Sequence, residues 1–245
     1  CVTLANNHVL DYGTEALAEC LALLDQAGIK RTGAGASIME ALTPAILDLP
    51  QGRLGVVALT DNEPEWEAGE KKPGTHYIAY DAKGLLEPYR SRLADLLRRT
   101  RNQADLVMVS AHIGPNWGAP SPAMRTLAHQ IIDFGADLYW GHSNHTPQGI
   151  EIYKGKAILY STGDFIDDYA VDPAERNDLS FLFVVELERG RLARLLLHPV
   201  RIANFLVRLA QDQEVDFLKR TMQAKCAAFG TRAVFHDGMG MIEMF

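Results

Sequence analysis

The chain has 245 residues, of which 47% are hydrophobic and 22% charged, with a formal net charge of -7. That composition suits a globular chain with a sizeable core, and the acidic balance lacks the basic footprint of a nucleic-acid binder. Cys1, Cys20 and Cys226 are widely spaced and form no CxxC pair, which argues against a disulfide framework and a thiolate zinc site.

In chain order, Cys1 to Ala5 read as a buried strand that runs into a polar turn with Asn6, Asn7, His8 and Asp11. Leu17, Leu21 and Leu24 then share one helical face, with Thr14 as the expected N-cap and Gly28 as the stop. The run 53–60, with Val56 and Val57, predicts a buried strand, and the stretch 61–84 a long loop carrying Trp66. Residues 85–101 predict a helix whose end collects Arg98, Arg99 and Arg101, where cations suit the helix dipole. A strand follows over 104–112, a helix through Met124, Leu127, Ile131 and Phe134 to Gly135, and a short strand over 136–142.

Strand and helix therefore alternate through residue 145, which predicts an α/β half with a largely parallel sheet. Residues 146–200 read instead as antiparallel hairpins around Lys154-Gly155 and Arg189-Gly190, and 201–245 as a C-terminal helical segment. The whole is expected to form a single domain spanning 1–245.

Eight histidines are present. His76, His129, His198 and His236 read as ordinary core or surface residues. His8, His112, His142 and His145 differ, because they come from three predicted strand ends of the α/β half. Ligands bind outside the carboxyl ends of strands in open parallel sheets, so these imidazoles and Asn7 point to a shared metal or anion site. Other features carry less. The run 32–37, Thr-Gly-Ala-Gly-Ala-Ser, has no Lys-Ser/Thr after it and reads as a plain turn. Ser161 lies outside any GxSxG elbow. Asp164 could line the site or cap the next turn, Asp167 and Asp168 read as a solvated loop, and Trp66 and Trp117 could shield a pocket or simply pack.

The runs Leu4–Gly13, Gly33–Gly35, Val109–Trp117 and Gly135–Phe165, with the Trp66–Gly74 loop, resemble in this order the bacterial capsule synthesis family CapA. That family is also called the poly-gamma-glutamate synthesis or PGA_cap family, and it is related to calcineurin-like metallophosphoesterases. The resemblance implies a metallophosphoesterase-like β-sandwich core flanked by helices in an α-β-β-α order. It implies two divalent metal ions, Mn, Fe or Zn, held by Asn7, His112, His142 and His145. His8 would be the catalytic general acid, partnered by a nearby carboxylate such as Asp11 or by one outside this chain. The metals would polarise the electrophile and activate a water. The implied substrate is an anionic polymer or a small ester, and polymer-synthase membrane proteins are implied partners. The family is often tethered outside a membrane. Non-catalytic polymer binding and free-standing phosphoesterase activity are the competing expectations.

The resemblance has gaps. Gly141-His142-Ser143-Asn144-His145 stands where the family usually reads Gly-His-His-Pro-His. His112-Ile113-Gly114-Pro115-Asn116 lacks the usual acidic residue, and Asp164 stands where the family usually has Asn. The family's Gly-Asp and Asn-Leu-Glu strands, expected before Asn6, are not in the chain, so an N-terminal truncation of several tens of residues is expected.

Overall fold

The computed structural model describes residues 1–166 and 170–244; Asp167 and Asp168 lie outside the described residues. The chain divides into two compact units, one of residues 1–114 and 121–139, the other of residues 115–120 and 140–245.

The first unit begins with β1 (Val2–Thr3), followed by α1 (Gly13–Gln26). Helix α1 starts one residue before the expected cap: Tyr12 precedes Gly13 with no side-chain cap, and Thr14 lies within the first turn. Gly28 ends it at φ +68°, a conformation that costs glycine little. Leu17 and Leu21 bury against Ala34, with Leu4, Val9 and Leu10 packed alongside. Next come β2 (Arg31–Thr32), parallel to β1, β3 (Ala34–Gly35) and one helical turn, α2 (Ile38–Ala41). The glycine run 32–37 is thus a strand–turn–strand link. Its Ser37 accepts a hydrogen bond from Glu40 N as the cap of that turn.

Strand β4 (Ala45–Leu49) pairs antiparallel with β5 (Gly52–Thr60). The stretch 61–84 is not an open loop. It contains a 3-10 turn at Pro64–Trp66, β6 (Gly74–Thr75) paired with β3, and β7 (Tyr80–Asp81), which pairs with β8 (Gly84–Leu85). Helix α3 (Tyr89–Arg101) starts later than its apolar spacing suggests, because Pro88 constrains the residue before it and Leu85 is used by β8.

Strand β9 (Leu106–His112) runs parallel to β5, with Thr60 opposite His112 at their shared end. Leu93, Leu96 and Leu97 of α3 are buried, as are Val56–Leu59 of β5 and Val107, Val109 and Ala111 of β9. A Cβ on Gly55 would come 2.5 Å from Thr100 Cγ2, so the glycine lets α3 approach β5 closely. Helix α4 (Pro122–Asp133) is capped by Ser121, which accepts from Met124 N, and buries Leu127 and Ile131.

Strand β10 (Leu138–His142) spans the division between the units. In the second unit, β11 (Ile150–Tyr153) and β12 (Lys156–Leu159) form a hairpin. Its Lys154 and Gly155 have φ of 51° and 72°, the positive pair a tight two-residue turn requires. The same device at Arg189 and Gly190 joins β13 (Leu179–Glu188) to β14 (Arg191–Ala203). After residue 200 the chain is helical only in part. Strand β15 (Leu206–Leu209) pairs with β14. Helix α5 (Asp212–Ala227) buries Leu218, Met222 and Cys226. Strands β16 (Val234–His236) and β17 (Met239–Glu243) complete the sheet order β13-β14-β17-β16.

Candidate functional site

The sequence-predicted residues fall into two groups, one in each unit. In the first unit, the turn after β1 is closed by Asn6, whose Oδ1 accepts from His8 N at 2.9 Å. That brings His8 Nδ1 within 2.8 Å of Asp11 Oδ2, the carboxylate expected from the sequence, and both side chains stay open to solvent at 65% and 44% exposure. The Asn7 amide has no hydrogen-bond partner among the described residues. Glu63 lies close by electrostatically; a hydrogen bond with Glu65 raises its pKa above the ordinary value, and the Asp11 charge adds to the rise.

The parallel register places the ends of β5 and β9 side by side. The His112 carbonyl accepts from Thr60 Oγ1 at 3.0 Å and from Asn62 Nδ2 at 3.3 Å. Sequence reasoning missed Asp61 here. Its carboxylate accepts from Gly114 N at 3.1 and 3.2 Å, from Tyr80 Oη at 3.1 Å and from Asn62 Nδ2 at 2.8 Å. Asp61 thereby ties the loop after β5 to the loop after His112. Burial raises the pKa of Asp61, and burial with the Asp61 charge raises that of Tyr80. The available signal was the position of Asp61 directly after a buried strand.

His76, assigned an ordinary role, is 1% exposed. Its Nδ1 lies 2.8 Å from Ala58 O, while Nε2 is buried with no hydrogen-bond partner among the described residues. Burial pushes its pKa down to about 4.

In the second unit, Gly141 precedes His142 because nothing larger fits: a Cβ there would come 2.3 Å from Tyr160 O and 2.6 Å from Leu159 O. Burial pushes His142 down to about 4, so its ring is neutral near pH 7 and its lone pair is free of a proton. The next residues replace the family's usual histidine and proline with a polar hub. Asn144 Oδ1 accepts from Thr146 N at 3.0 Å and Thr146 Oγ1 at 2.9 Å, while Asn144 Nδ2 donates to Gly118 O at 2.8 Å. Ser161 Oγ donates to Asn144 O at 2.7 Å. Three loops, around 118, 144–148 and 161, are held together through this one residue, the first two by its side chain and the third by its carbonyl.

The hub presents His145. Its Nδ1 lies 2.8 Å from Asp164 Oδ1, and Asp164 Oδ2 accepts from Asn177 Nδ2 at 2.9 Å. The Trp117 ring packs against the imidazole at 5.4 Å between centroids. His145 is 29% exposed and Asp164 only 11%. A carboxylate behind an imidazole is the arrangement that aims a metal-ligating or proton-transferring histidine.

As single donors these residues fit a divalent ion: His142 is neutral, His145 is oriented, and the Asn7 carbonyl is unengaged. As a cluster they fall short within each unit. Among the described residues, no three His, Cys, Asp or Glu side chains are grouped so as to hold a metal ion.

The bacterial capsule synthesis protein PGA_cap family matches residues 1–169 of this sequence. The chain belongs to that family. Every candidate residue from Asn7 to Asp164 lies inside the matched segment. Relatives within reach of the chain include a probable polyglutamine synthesis accessory protein of Mycobacterium tuberculosis, 34% identical over 94% of this chain. The capsule biosynthesis protein CapA of Bacillus anthracis is 28% identical over 68% of the chain and 40% of its own length. The chain spans 63% of the length of the Mycobacterium relative. Among solved structures, a Staphylococcus aureus protein assigned as a 5'-nucleotidase superposes over 89% of this chain and 40% of its own, with a TM-score of 0.50 and 17% identity. At that identity the likeness establishes fold: this capsule synthesis family member has the mixed α/β, metallophosphoesterase-like fold.

Proposed function

We propose that this family member acts in the synthesis or handling of a capsule polymer of the poly-γ-glutamate type, through a metal-dependent hydrolase-type site. Family membership supports the polymer role. The observation that carries the hydrolase reading is the pairing of the largely buried Asp164 with His145, which lies three residues after a histidine, His142, held neutral by burial. His142 and His145, both in the second unit, would hold the ion. A divalent ion at these residues would polarise the scissile carbonyl or phosphoryl group.

The remaining work falls to the chain's own groups. His8, fixed by Asp11, gives up a proton to the leaving atom and recovers it from solvent, to which it is open. Asp164 holds the His145 ring in place, and Trp117 shields one face of it. A polyanion gains nothing from a net charge of -7, so its recognition has to be local. No helix among the described residues is long and apolar enough to cross a membrane.

A second reading, polymer or synthase binding without turnover, is favoured by the donor set, which among the described residues reaches no cluster of three. Incubation of the purified chain with poly-γ-glutamate and Mn²⁺ separates the two. Chain shortening measured by size-exclusion chromatography, lost in both His8→Ala and His145→Ala, is the result expected. Retained binding of the polymer with no shortening at any metal concentration would select the second reading.

A further inference from the structure

The surroundings of His145 determine more than the direction of its ring. Asn177 is 2% exposed, and each end of its amide is committed. Its Oδ1 accepts from Asp172 N at 2.8 Å, while its Nδ2 donates to Ala170 O at 3.0 Å and to Asp164 Oδ2 at 2.9 Å. An amide oxygen only accepts and an amide nitrogen only donates, so Asn177 is locked as a donor toward Asp164. The ionised Asp164 carboxylate only accepts. Its other oxygen, 2.8 Å from His145 Nδ1, therefore requires the ring hydrogen on that nitrogen. The neutral ring keeps its lone pair on Nε2, which has no hydrogen-bond partner among the described residues.

We propose that Asp164, locked by Asn177, is a positioning residue that holds His145 in the Nδ1–H tautomer and so presents Nε2 as a lone-pair donor to a divalent cation. The proposal rests on the reading of His145 as a metal-site residue and deepens it. It also gives a physical meaning to the carboxylate at a position where the family usually has an amide.

A purely structural hydrogen bond would survive Asp164→Asn with little change, because the shapes match. The relay demands a different outcome. Asn177 offers only N–H, so the substituted amide must turn its oxygen toward Asn177 and its NH2 toward His145. Nδ1 then becomes an acceptor, and the ring hydrogen moves to Nε2, where it blocks coordination.

Long-range ¹H–¹⁵N spectra of the metal-free 245-residue protein, ¹⁵N-labelled at histidine, read the tautomer directly. They are recorded at about pH 8, above the ordinary imidazole pKa of about 6.5. The expected result is Nδ1–H for His145 in the wild type and Nε2–H in Asp164→Asn. Adding Asn177→Ala frees the amide to turn and is expected to restore Nδ1–H. A wild type in the Nε2–H form, or an Asp164→Asn protein that keeps Nδ1–H, overturns the relay. Zn²⁺ titration by calorimetry reads the cation separately, and Asp164→Asn is expected to lose about ten-fold or more in affinity. A tautomer that switches with Zn²⁺ affinity unchanged overturns the cation half of the proposal together with the metal reading of the site, while leaving the tautomer relay in place.

Discussion

Asp178→Ala is expected to destabilise the protein by about 3 kcal/mol, near the lower end of the range for breaking a buried ion pair. Asp178 is 3% exposed and faces two guanidinium groups. Arg176 Nε lies 2.8 Å from Oδ1, and Arg201 binds Oδ2 directly. The Arg176 pKa is raised, chiefly by its hydrogen bond to Asp178. Removing the carboxylate leaves two cations that are only 33% and 28% exposed, with Glu214 at 3.8 Å as a distant second partner for Arg201. Their partial exposure is the reason for choosing the lower end of the range. A loss of that size lowers the melting temperature of a chain this long by about 6–12 °C. Asp178→Asn, which keeps the shape and one acceptor, should lie between. The effect reaches the site, since Asn177 is the neighbouring residue and pins Asp164. A melting temperature within a degree or so of wild type would show that this network carries no stability.

His76 makes stability depend on pH. Burial holds its folded-state pKa at about 4, against 6.5 for the free side chain, and the nearby Arg92 charge pushes the same way. The lowered value favours the neutral form in the fold. Above about pH 6.5 the group is neutral in both states and contributes no pH dependence. As pH falls from 6.5 toward 4 the unfolded chain takes up a proton that the folded chain refuses, so stability is lost through that window. The difference amounts to about 3 kcal/mol at the acid end. His76→Asn keeps a donor for Ala58 O and cannot titrate in this range. Denaturant unfolding at steps from pH 7 to pH 4 should show a slope that is steeper in the wild type than in His76→Asn. Parallel curves would mean that His76 charges freely in the folded protein.

The parts of the fold legible in the sequence are those whose local pattern agrees with their final burial. Val56–Leu59 form an apolar run because all four end up buried, Val107, Val109 and Ala111 are buried in the next strand, and Leu93, Leu96 and Leu97 keep helical spacing. Lys154-Gly155 and Arg189-Gly190 announce their hairpins by residues that tolerate positive φ. Strand β4 escaped notice because Pro44 and Pro50 bracket five residues whose partner lies across a tight turn. Strands β16 and β17 carried a usable signal in Asp237-Gly238, both at positive φ, but weak alternation around it.

Of the candidate residues, the strand-end positions of His112 and His142 and the short-range pair His8–Asp11 were legible. Contacts were not legible where partners are distant in sequence. Asp164 meets His145 nineteen positions away, after the β11–β12 hairpin has turned the chain back, and Asn177 joins from thirteen residues further on. Asp61 meets Gly114 only because β5 and β9 run in parallel register. Periodicity places residues on elements, whereas these contacts come from how the elements are stacked.

The central claim is that the strand-end histidines hold a divalent ion, and metal analysis after equilibrium dialysis against Mn²⁺ or Zn²⁺ tests it most directly. Wild-type protein is expected to retain at least one equivalent, and His142→Ala, with folding checked by circular dichroism, to lose at least one. A wild-type protein that retains no ion, or a His142→Ala protein that retains as much as wild type, would contradict the account.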